Sequence, residues 1–185
     1  MPGPAHRQVR PDIAVLRVGH RLGRDPRLTT HLALAARALG ASRLFLHPPD
    51  PELSERIAAV ARRWGGRFEV VGVSAWKPVL EEYRGHVVHL TMYGEPVDRV
   101  VPRLRGIRRL LVVVGGAKVP PALFGLADFN VAVGSQPHSE VAALAVLLDR
   151  LLGGAPSSRF RGAEQRIIPQ RRGKRVTTLP TKARE

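Results

Sequence analysis

The sequence Arg109-Leu110-Leu111-Val112-Val113-Val114 runs directly into Gly115-Gly116. Its apolar residues follow one another without alternating polar ones, which is typical of a strand that is buried on both faces. A strand of that kind requires helices above and below its sheet. This run therefore predicts an α/β protein with a parallel sheet at its centre.

Shorter candidate strands lie on both sides of this run and alternate with candidate helices. The predicted strands cover residues 13–18, 43–47, 68–73, 86–92 and 129–133. The predicted helices cover residues 26–38, 51–64 and 139–152. Proline at a helix start and glycine after a helix end mark most of these boundaries, and Gly94 is expected to end the fourth strand. The alternation predicts a mostly parallel sheet with helices on both faces.

Positive charge is concentrated at the two ends of the chain. Lys and Arg total 30 against 15 Asp and Glu, a formal net charge of +15. Residues 1–31 carry +4 and residues 155–185 carry +7, so the 123 residues between them carry only +4. This excess favours a nucleic-acid partner, because basic side chains neutralise phosphates and release counterions. We expect a flexible N-terminus at residues 1–11, one domain at 12–154 and a basic C-terminal extension at 155–185, after the break at Pro156-Ser157-Ser158.

Other features exclude several classes of protein. The absence of cysteine excludes disulfides and thiolate-bound metals, and we predict no metal site. No apolar run approaches the roughly 20 residues that a membrane span needs. The first residues lack the apolar region of a signal peptide. We therefore expect a cytoplasmic protein with no membrane partner.

Three glycine-rich or polar loops follow the fourth, fifth and sixth predicted strands. They are LTMYG (residues 90–94), GGAKVP (115–120) and GSQPHSE (134–140). Ligands of open α/β sheets bind at the carboxyl ends of the strands, where these loops would meet. The spacing lacks the third glycine of a dinucleotide-binding turn and the Gly-Lys-Ser/Thr of a phosphate loop. A hydrolase that uses His138, Ser139 or Glu140 is disfavoured, because no Gly-x-Ser-x-Gly surrounds Ser139, which can instead cap the following helix.

Several strings in this chain resemble one known family. RVGHR (residues 17–21), RD (24–25) and TTH (29–31) resemble the N-terminal signature of archaeal tRNA (cytidine(56)-2′-O)-methyltransferases. The three loops resemble the cofactor motifs of that family. RIIP (residues 166–169) and GK (173–174) resemble its C-terminal signature. The likeness covers nearly all of residues 12–176.

The resemblance implies a SPOUT fold, with a trefoil knot in its C-terminal part and a cleft for S-adenosylmethionine. The cofactor-binding residues that it implies are Leu90, Gly115, Gly116, Ala117, Lys118, Val119, Val133, Gly134, Ser135, Gln136, Pro137, His138, Ser139 and Glu140. Glycine lets a backbone approach a ligand closely, and Leu90 and Val119 offer apolar walls or, alternatively, core packing. This chain has Ser135 where the family usually has Asn, and Ala117 where an acidic residue is usual. We expect altered contacts there rather than lost activity.

Methylation of a ribose hydroxyl needs a base that takes its proton or a cation that stabilises the forming alkoxide. The resemblance implies that an arginine of the N-terminal motif acts in this step. Arg24 is the first candidate, followed by Arg17 and Arg21, with His31 nearby. The remaining arginines would then bind phosphate.

The resemblance also implies tRNA as substrate and a homodimer as the assembly. Five apolar residues of the last helix recur at helical spacing, which fits either a dimer contact or internal packing. They are Val141, Leu144, Ala145, Leu148 and Leu152. Two alternatives remain open, namely a non-catalytic RNA-binding module and a SPOUT methyltransferase that acts on another RNA site.

Overall fold

A computed structural model describes residues 10–116, 119–154 and 160–180. The strands are β1 (Asp12–Val18), β2 (Arg43–His47), β3 (Glu69–Gly72), β4 (His86–Pro96), β5 (Arg109–Gly115), β6 (Phe129–Ala132), β7 (Gln165–Ile167) and β8 (Val176–Thr178). The helices are α1 (Pro26–Ala38), α2 (Pro51–Trp64), α3 (Lys77–Glu81), α4 (Val97–Leu104), α5 (Ala122–Leu126) and α6 (Glu140–Leu152). Ala117, Lys118, the predicted break at 156–158 and most of the predicted N-terminal segment lie outside the described residues.

Six parallel strands form the main sheet, in the order β3-β2-β1-β5-β4-β6. The predicted α/β class, with a mostly parallel sheet, is confirmed. Strand β5 lies inside the sheet, and its apolar run is divided between two hydrophobic cores. Leu110, Val112 and Val114 face one core, whereas Leu111 and Val113 face the other. Burial of each such side chain contributes roughly 1.5–3 kcal/mol, so this strand needs a covering layer on each face.

Helices supply those layers on both faces of the sheet, as predicted. Helices α1, α2, α4 and α6 pack on one face, and α3 and α5 contribute to the core on the other. Leu144 and Leu148 of α6 are fully buried in the first of these cores. Internal packing therefore accounts for the centre of the apolar stripe on this helix.

The structure differs from the sequence prediction around the short elements. Strand β4 does not end at Gly94 but continues to Pro96. Helices α3, α4 and α5 were not predicted, because they have only five to eight residues. Helices α3 and α5 have only five residues, which is too short for an apolar pattern to repeat. Helix α4 does carry apolar residues at helical spacing, but it contains Pro102, which normally indicates an interruption.

The C-terminal segment forms an antiparallel hairpin of β7 and β8 that is tied to the domain. The Gly66 N–H donates to the Arg161 carbonyl at 2.9 Å, and the Phe160 ring lies 4.7 Å from the Arg37 guanidinium. Thr177 belongs to β8 and aligns with Arg166 of β7. The trefoil knot stays a prediction, since strand order alone does not describe how the chain is threaded.

Within the described residues, no helix combines the length and apolar character that a bilayer span requires. Nor do three His, Asp or Glu side chains of those residues group together as metal ligands would.

Candidate active site

A cleft with a volume of ≈ 730 Å³ opens where β4, β5 and β6 end. Seven residues that the sequence predicted for the cofactor site line it: Leu90, Gly115, Gly116, Val119, Val133, His138 and Glu140. Thr91, Met92 and Tyr93 of the first predicted loop also line it, together with five residues that the sequence did not predict: His89, Val114, Phe124, Val131 and Ala143. The predicted residues Gly134, Ser135, Gln136, Pro137 and Ser139 are not among the lining residues. Ser139 takes the N-cap position of α6, but its hydroxyl makes no capping hydrogen bond.

The first loop of the cleft is a bulge within β4. Leu90 and Glu95 both align with Val131 of β6, so the four residues between them loop out of the strand. Gly94 allows the chain to return, because a Cβ at this position would lie 2.4 Å from the Asn130 carbonyl carbon and from the Val131 nitrogen. No other residue type can make so close a backbone approach. Glycine here therefore shapes a bulge in the strand and does not end it.

The second loop joins the cleft to the loop that follows β1. A Cβ on Gly115 would lie 1.8 Å from Val119 Cγ1, so any larger residue here would displace the Val119 side chain. A Cβ on Gly116 would lie 3.7 Å from Arg17 Nη2 and 3.8 Å from the Gly19 carbonyl oxygen. The predicted cofactor glycines and the predicted N-terminal motif are therefore neighbours.

Arg17 is the buried cation of the site. It is 1% exposed, and its Nη1 lies 3.4 Å from Oε1 of Glu140, the first residue of α6. A buried guanidinium requires such a partner, and a carboxylate at a helix N-terminus also interacts favourably with the helix dipole. Within the described residues the Arg17 Nε has no hydrogen-bond partner. This ion pair links β1 to α6 across the cleft mouth.

The other arginines of the N-terminal motif differ in their partners. Arg21 donates from Nε and Nη2 to the two carboxylate oxygens of Asp25, each at 2.8 Å. This hydrogen-bonded pair holds the pKa of the Asp25 carboxyl below its ordinary value. Arg24 is exposed, and no hydrogen bond or ion pair of its side chain is found in the described part of the chain. Arg27 in the first turn of α1 is exposed in the same way.

His20 fastens this loop to two helices. Its buried ring places Nδ1 2.9 Å from Thr29 Oγ1 in α1 and Nε2 3.2 Å from Asp50 Oδ2. Asp50 also caps α2 by accepting from the Leu53 N–H at 2.9 Å. That backbone hydrogen bond, with a further contribution from His20, lowers the pKa of the Asp50 carboxyl. His31, which was weighed as a neighbour of the site, is exposed on α1.

Comparison with known proteins identifies the family. Residues 64–177 match the model of a family described as tRNA ribose 2′-O-methyltransferase, aTrm56. A tRNA (cytidine(56)-2′-O)-methyltransferase of Thermococcus kodakarensis is 51% identical over 175 residues, which cover 90% of this chain and 97% of the relative. The chain belongs to the aTrm56 family. An enzyme of the same name from Methanothrix thermoacetophila is 49% identical, over 89% of this chain and 96% of its own length.

Solved structures agree with this aTrm56 chain in fold. The SpoU methyltransferase AviRb of Streptomyces viridochromogenes, solved in complex with AdoMet, superposes with a TM-score of 0.59 at 18% identity. The match covers 83% of this chain and 62% of AviRb. A structure described as an RNA 2′-O ribose methyltransferase also gives a TM-score of 0.59, at 17% identity, and covers 83% of this chain and 61% of that one. The SPOUT fold class predicted from the sequence is confirmed.

Of the cleft residues in this aTrm56 chain that the sequence did not predict, only one could have been recognised from its sequence pattern. His89 is a polar residue within an otherwise apolar strand run, and it is fully buried beneath the cleft. Phe124, Val131 and Ala143 belong to helices and strands that pack behind the loops, so no loop motif contains them. These three residues line the cleft only because elements that are far apart in sequence pack together.

Proposed function

We propose that this protein methylates the 2′-oxygen of cytidine 56 in the T-loop of tRNA, with S-adenosylmethionine as the methyl donor. Membership of the aTrm56 family supports the reaction and its tRNA substrate. One structural observation carries the site assignment, namely the contact between Arg17 and Glu140. This contact holds the arginine-rich loop against the glycine-lined cleft, so a cationic group and a ligand cleft share one edge of the sheet.

The cleft fits an adenosine-type ligand. Leu90, Val131 and Val133 give it apolar walls, and Gly116 leaves room for a ligand beside the backbone. Glu140 and His138 supply polar groups at its edge. The residues lining the cleft would hold S-adenosylmethionine, and the other described residues predicted for the cofactor belong to the same third loop as His138 and Glu140. When bound, this cofactor supplies a methyl group on a positively charged sulfur.

The protein's own contribution is to stabilise the reacting ribose oxygen. A neutral hydroxyl is a poor nucleophile, so negative charge has to develop on the oxygen as its proton leaves. A fixed cation beside that oxygen lowers the barrier. Arg24 remains the first candidate, because its guanidinium is exposed and no carboxylate partner is found among the described residues. Arg21 engages Asp25 and Arg17 engages Glu140, so we assign positioning roles to those two arginines.

Binding of tRNA would use the basic hairpin as well as this loop. Arg166 on β7 and Arg171, Arg172, Lys174 and Arg175 on the connection between β7 and β8 are all exposed. Because the segment from Phe160 onward is tied to α2 and to Arg37, these charges have a defined position relative to the cleft. Such contacts give affinity for phosphates without reading sequence.

We further propose that the protein is a homodimer in the cytoplasm. The dimer rests on the resemblance to SPOUT enzymes, since the apolar stripe of α6 is largely used within one chain. Light scattering at micromolar concentration should give twice the chain mass of 20.3 kDa. A monomer at that concentration would contradict the proposal.

The experiment that tests the function is mass mapping of methyl groups on tRNA after incubation with enzyme and cofactor. We expect one methyl group on the ribose of cytidine 56, and none on a tRNA in which that ribose is a 2′-deoxyribose. A methyl group on a base, or on another nucleotide, would favour a SPOUT enzyme with a different RNA site. tRNA binding without any transfer would favour a non-catalytic RNA-binding module.

A further inference from the structure

The four-residue bulge in β4 presents an aromatic side chain at the cleft. Strand pairing stops at Leu90 and resumes at Glu95 opposite the same residue of β6, so the bulge adds nothing to the sheet. Tyr93 lies in this bulge and is 79% exposed. Its N–H donates to Thr91 Oγ1 at 3.4 Å, which links two residues of the bulge. Bulges beside active sites commonly re-aim a side chain, and here the side chain is a phenol that also lines the cleft.

Behind Tyr93, two more rings lead into the protein interior. The Tyr93 and Phe124 ring centroids are 6.4 Å apart, and the Phe124 ring meets His89 edge-on at 4.9 Å and 82°. His89 is 0% exposed. The inner end of this aromatic series is therefore buried, whereas its outer end is open to solvent.

An amide fixes the buried end. Asn130 Nδ2 donates to the Phe124 carbonyl at 2.9 Å, so its Oδ1 faces His89 Nδ1, also at 2.9 Å. Because that oxygen can only accept, Nδ1 carries the proton of the neutral ring. Burial lowers the pKa of His89, which favours this neutral form. Phe124 is thus held on two sides and gives Tyr93 a fixed neighbour.

The chemistry of the reaction brings a nucleobase to this part of the cleft. The reacting 2′-oxygen must reach the methyl donor, and the base is attached to the ribose carbon next to the one that bears this oxygen. The base therefore enters the cleft region together with its ribose. Proteins recognise unpaired RNA bases by stacking them on exposed aromatic rings, and every base has a face that can stack.

We propose that Tyr93 stacks on the base of the nucleotide whose ribose is methylated, with Phe124 behind it. This assignment rests on the proposed function and adds a binding residue to it. Stacking on Tyr93 requires the base to be released from its neighbours in the RNA. Tyr93 would thus help to select a nucleotide that can be splayed out, whereas the exposed arginines bind phosphates irrespective of the base.

The test is a double-mutant cycle between the enzyme and its tRNA. The enzymes are the unmodified protein, Tyr93→Ala, Tyr93→Phe and the control Leu126→Ala, a partly exposed apolar residue of α5 outside the cleft lining. One tRNA carries cytidine 56, and the other carries a ribose without a base at position 56, which keeps the 2′-hydroxyl. For each pair we measure KM for tRNA and kcat, with cofactor affinity and oligomeric state determined separately.

Tyr93→Ala should raise KM for intact tRNA by about 5- to 150-fold, the range measured for loss of one aromatic stacking contact. Tyr93→Phe should keep the original KM, because its ring stacks equally well, and Leu126→Ala should not change it. On the tRNA that lacks the base, Tyr93→Ala and the unmodified enzyme should have the same KM. The dependence of KM on salt should be the same for all four enzymes, since no charge is removed.

Three results would overturn the assignment. An equal loss on both tRNAs would place Tyr93 against another part of the RNA. A loss of cofactor affinity would place it against the methyl donor, and dissociation of a dimer would place it between subunits. The proposed function itself is tested by whether the unmodified enzyme methylates the intact tRNA at cytidine 56, so the two failures can be told apart.

Discussion

The loop after β1, the bulge in β4 and the loops after β5 and β6 meet at one edge of the sheet, but different interactions hold them. In the loop after β1, the His20 ring forms hydrogen bonds with Thr29 and Asp50, and Arg21 donates two hydrogen bonds to Asp25. In the others, the shape comes from glycines and from backbone approach. The described side chains from Ser135 to Ser139 make no hydrogen bond within the described residues.

This difference separates two requirements of the reaction. A cation that stabilises developing charge needs a backbone of fixed position, and the contacts of His20 and Arg21 fix the loop that carries Arg24. A cofactor cleft instead needs backbone groups that remain available to its ligand. The arginine loop is therefore the prearranged side of the site, and the glycine loops are the side that receives a ligand.

The largest expected effect comes from a substitution that blocks the cleft formed by the glycine loops. In Gly116→Arg a long side chain would start 3.7 Å from Arg17 and enter the cleft. We expect calorimetry to detect no binding of S-adenosylmethionine, while the unfolding midpoint stays close to that of the unmodified protein. Gly125→Arg is the matched control, because a Cβ on Gly125 meets nothing within 4 Å and the residue does not line the cleft. A folded Gly116→Arg variant with normal cofactor affinity would show that the cleft does not bind the cofactor.

The next effect tests the prearranged side. Arg24→Ala should lower turnover by roughly 100- to 1000-fold, the usual consequence of losing one electrostatic stabiliser, while cofactor affinity stays unchanged. Arg27→Ala is measured beside it, because Arg27 is equally exposed. Arg108→Ala is the charge-matched control, since Arg108 precedes β5 at the opposite edge of the sheet. A large loss for Arg27→Ala alone would move the role to Arg27, and normal turnover in both variants would move it to Arg17 or Arg21.

A smaller effect on tRNA binding is expected from charge reversal in the β7–β8 hairpin, which belongs neither to the arginine loop nor to the glycine loops. Reversal of Arg171, Arg172 and Lys174 to Glu should weaken tRNA binding by about tenfold or more and reduce the slope of log affinity against log salt by about 2 to 3. Turnover at saturating tRNA should be kept, unlike in the Arg24 variant. Replacing Arg171 and Arg172 with Lys keeps the charge and should leave affinity largely intact. An affinity that does not vary between low and moderate salt would contradict phosphate binding altogether.

The smallest effect concerns the polar network itself. The lowered pKa of Asp50 means that its ionised form stabilises the folded state at neutral pH, and that this contribution is lost as the pH falls through the folded-state pKa, below the ordinary 3.8. Asp50→Asn keeps a capping oxygen but loses the charge, so it should cost roughly 1 kcal/mol at pH 7. The free energies of unfolding of the two proteins should converge between about pH 5 and pH 2. A difference that stays constant over that range would show that the charge of Asp50 does not stabilise the network.

The sequence predicts features that depend on local pattern. The apolar run of β5 indicated its two-sided burial, and the glycine-rich loops indicated the edge of the sheet where the cleft lies. The pairing of Arg17 with Glu140 could not be predicted, because those residues are far apart in sequence and meet only when α6 packs beside β1. The return of β4 after Gly94 depends equally on the approach of β6. Long-range packing therefore sets the details of the site that the motifs leave open.

The strand order also has a consequence during synthesis on the ribosome. Asp12 in β1 aligns with Arg109 in β5, so the first strand has only one neighbour until most of the chain has left the exit tunnel. Sheets built from such distant pairs form slowly, because a long loop has to close before any contact stabilises it. Arg17 gains its carboxylate partner later still, when Glu140 emerges. A nascent chain truncated before α6 would therefore carry the arginine loop without its link to the cleft.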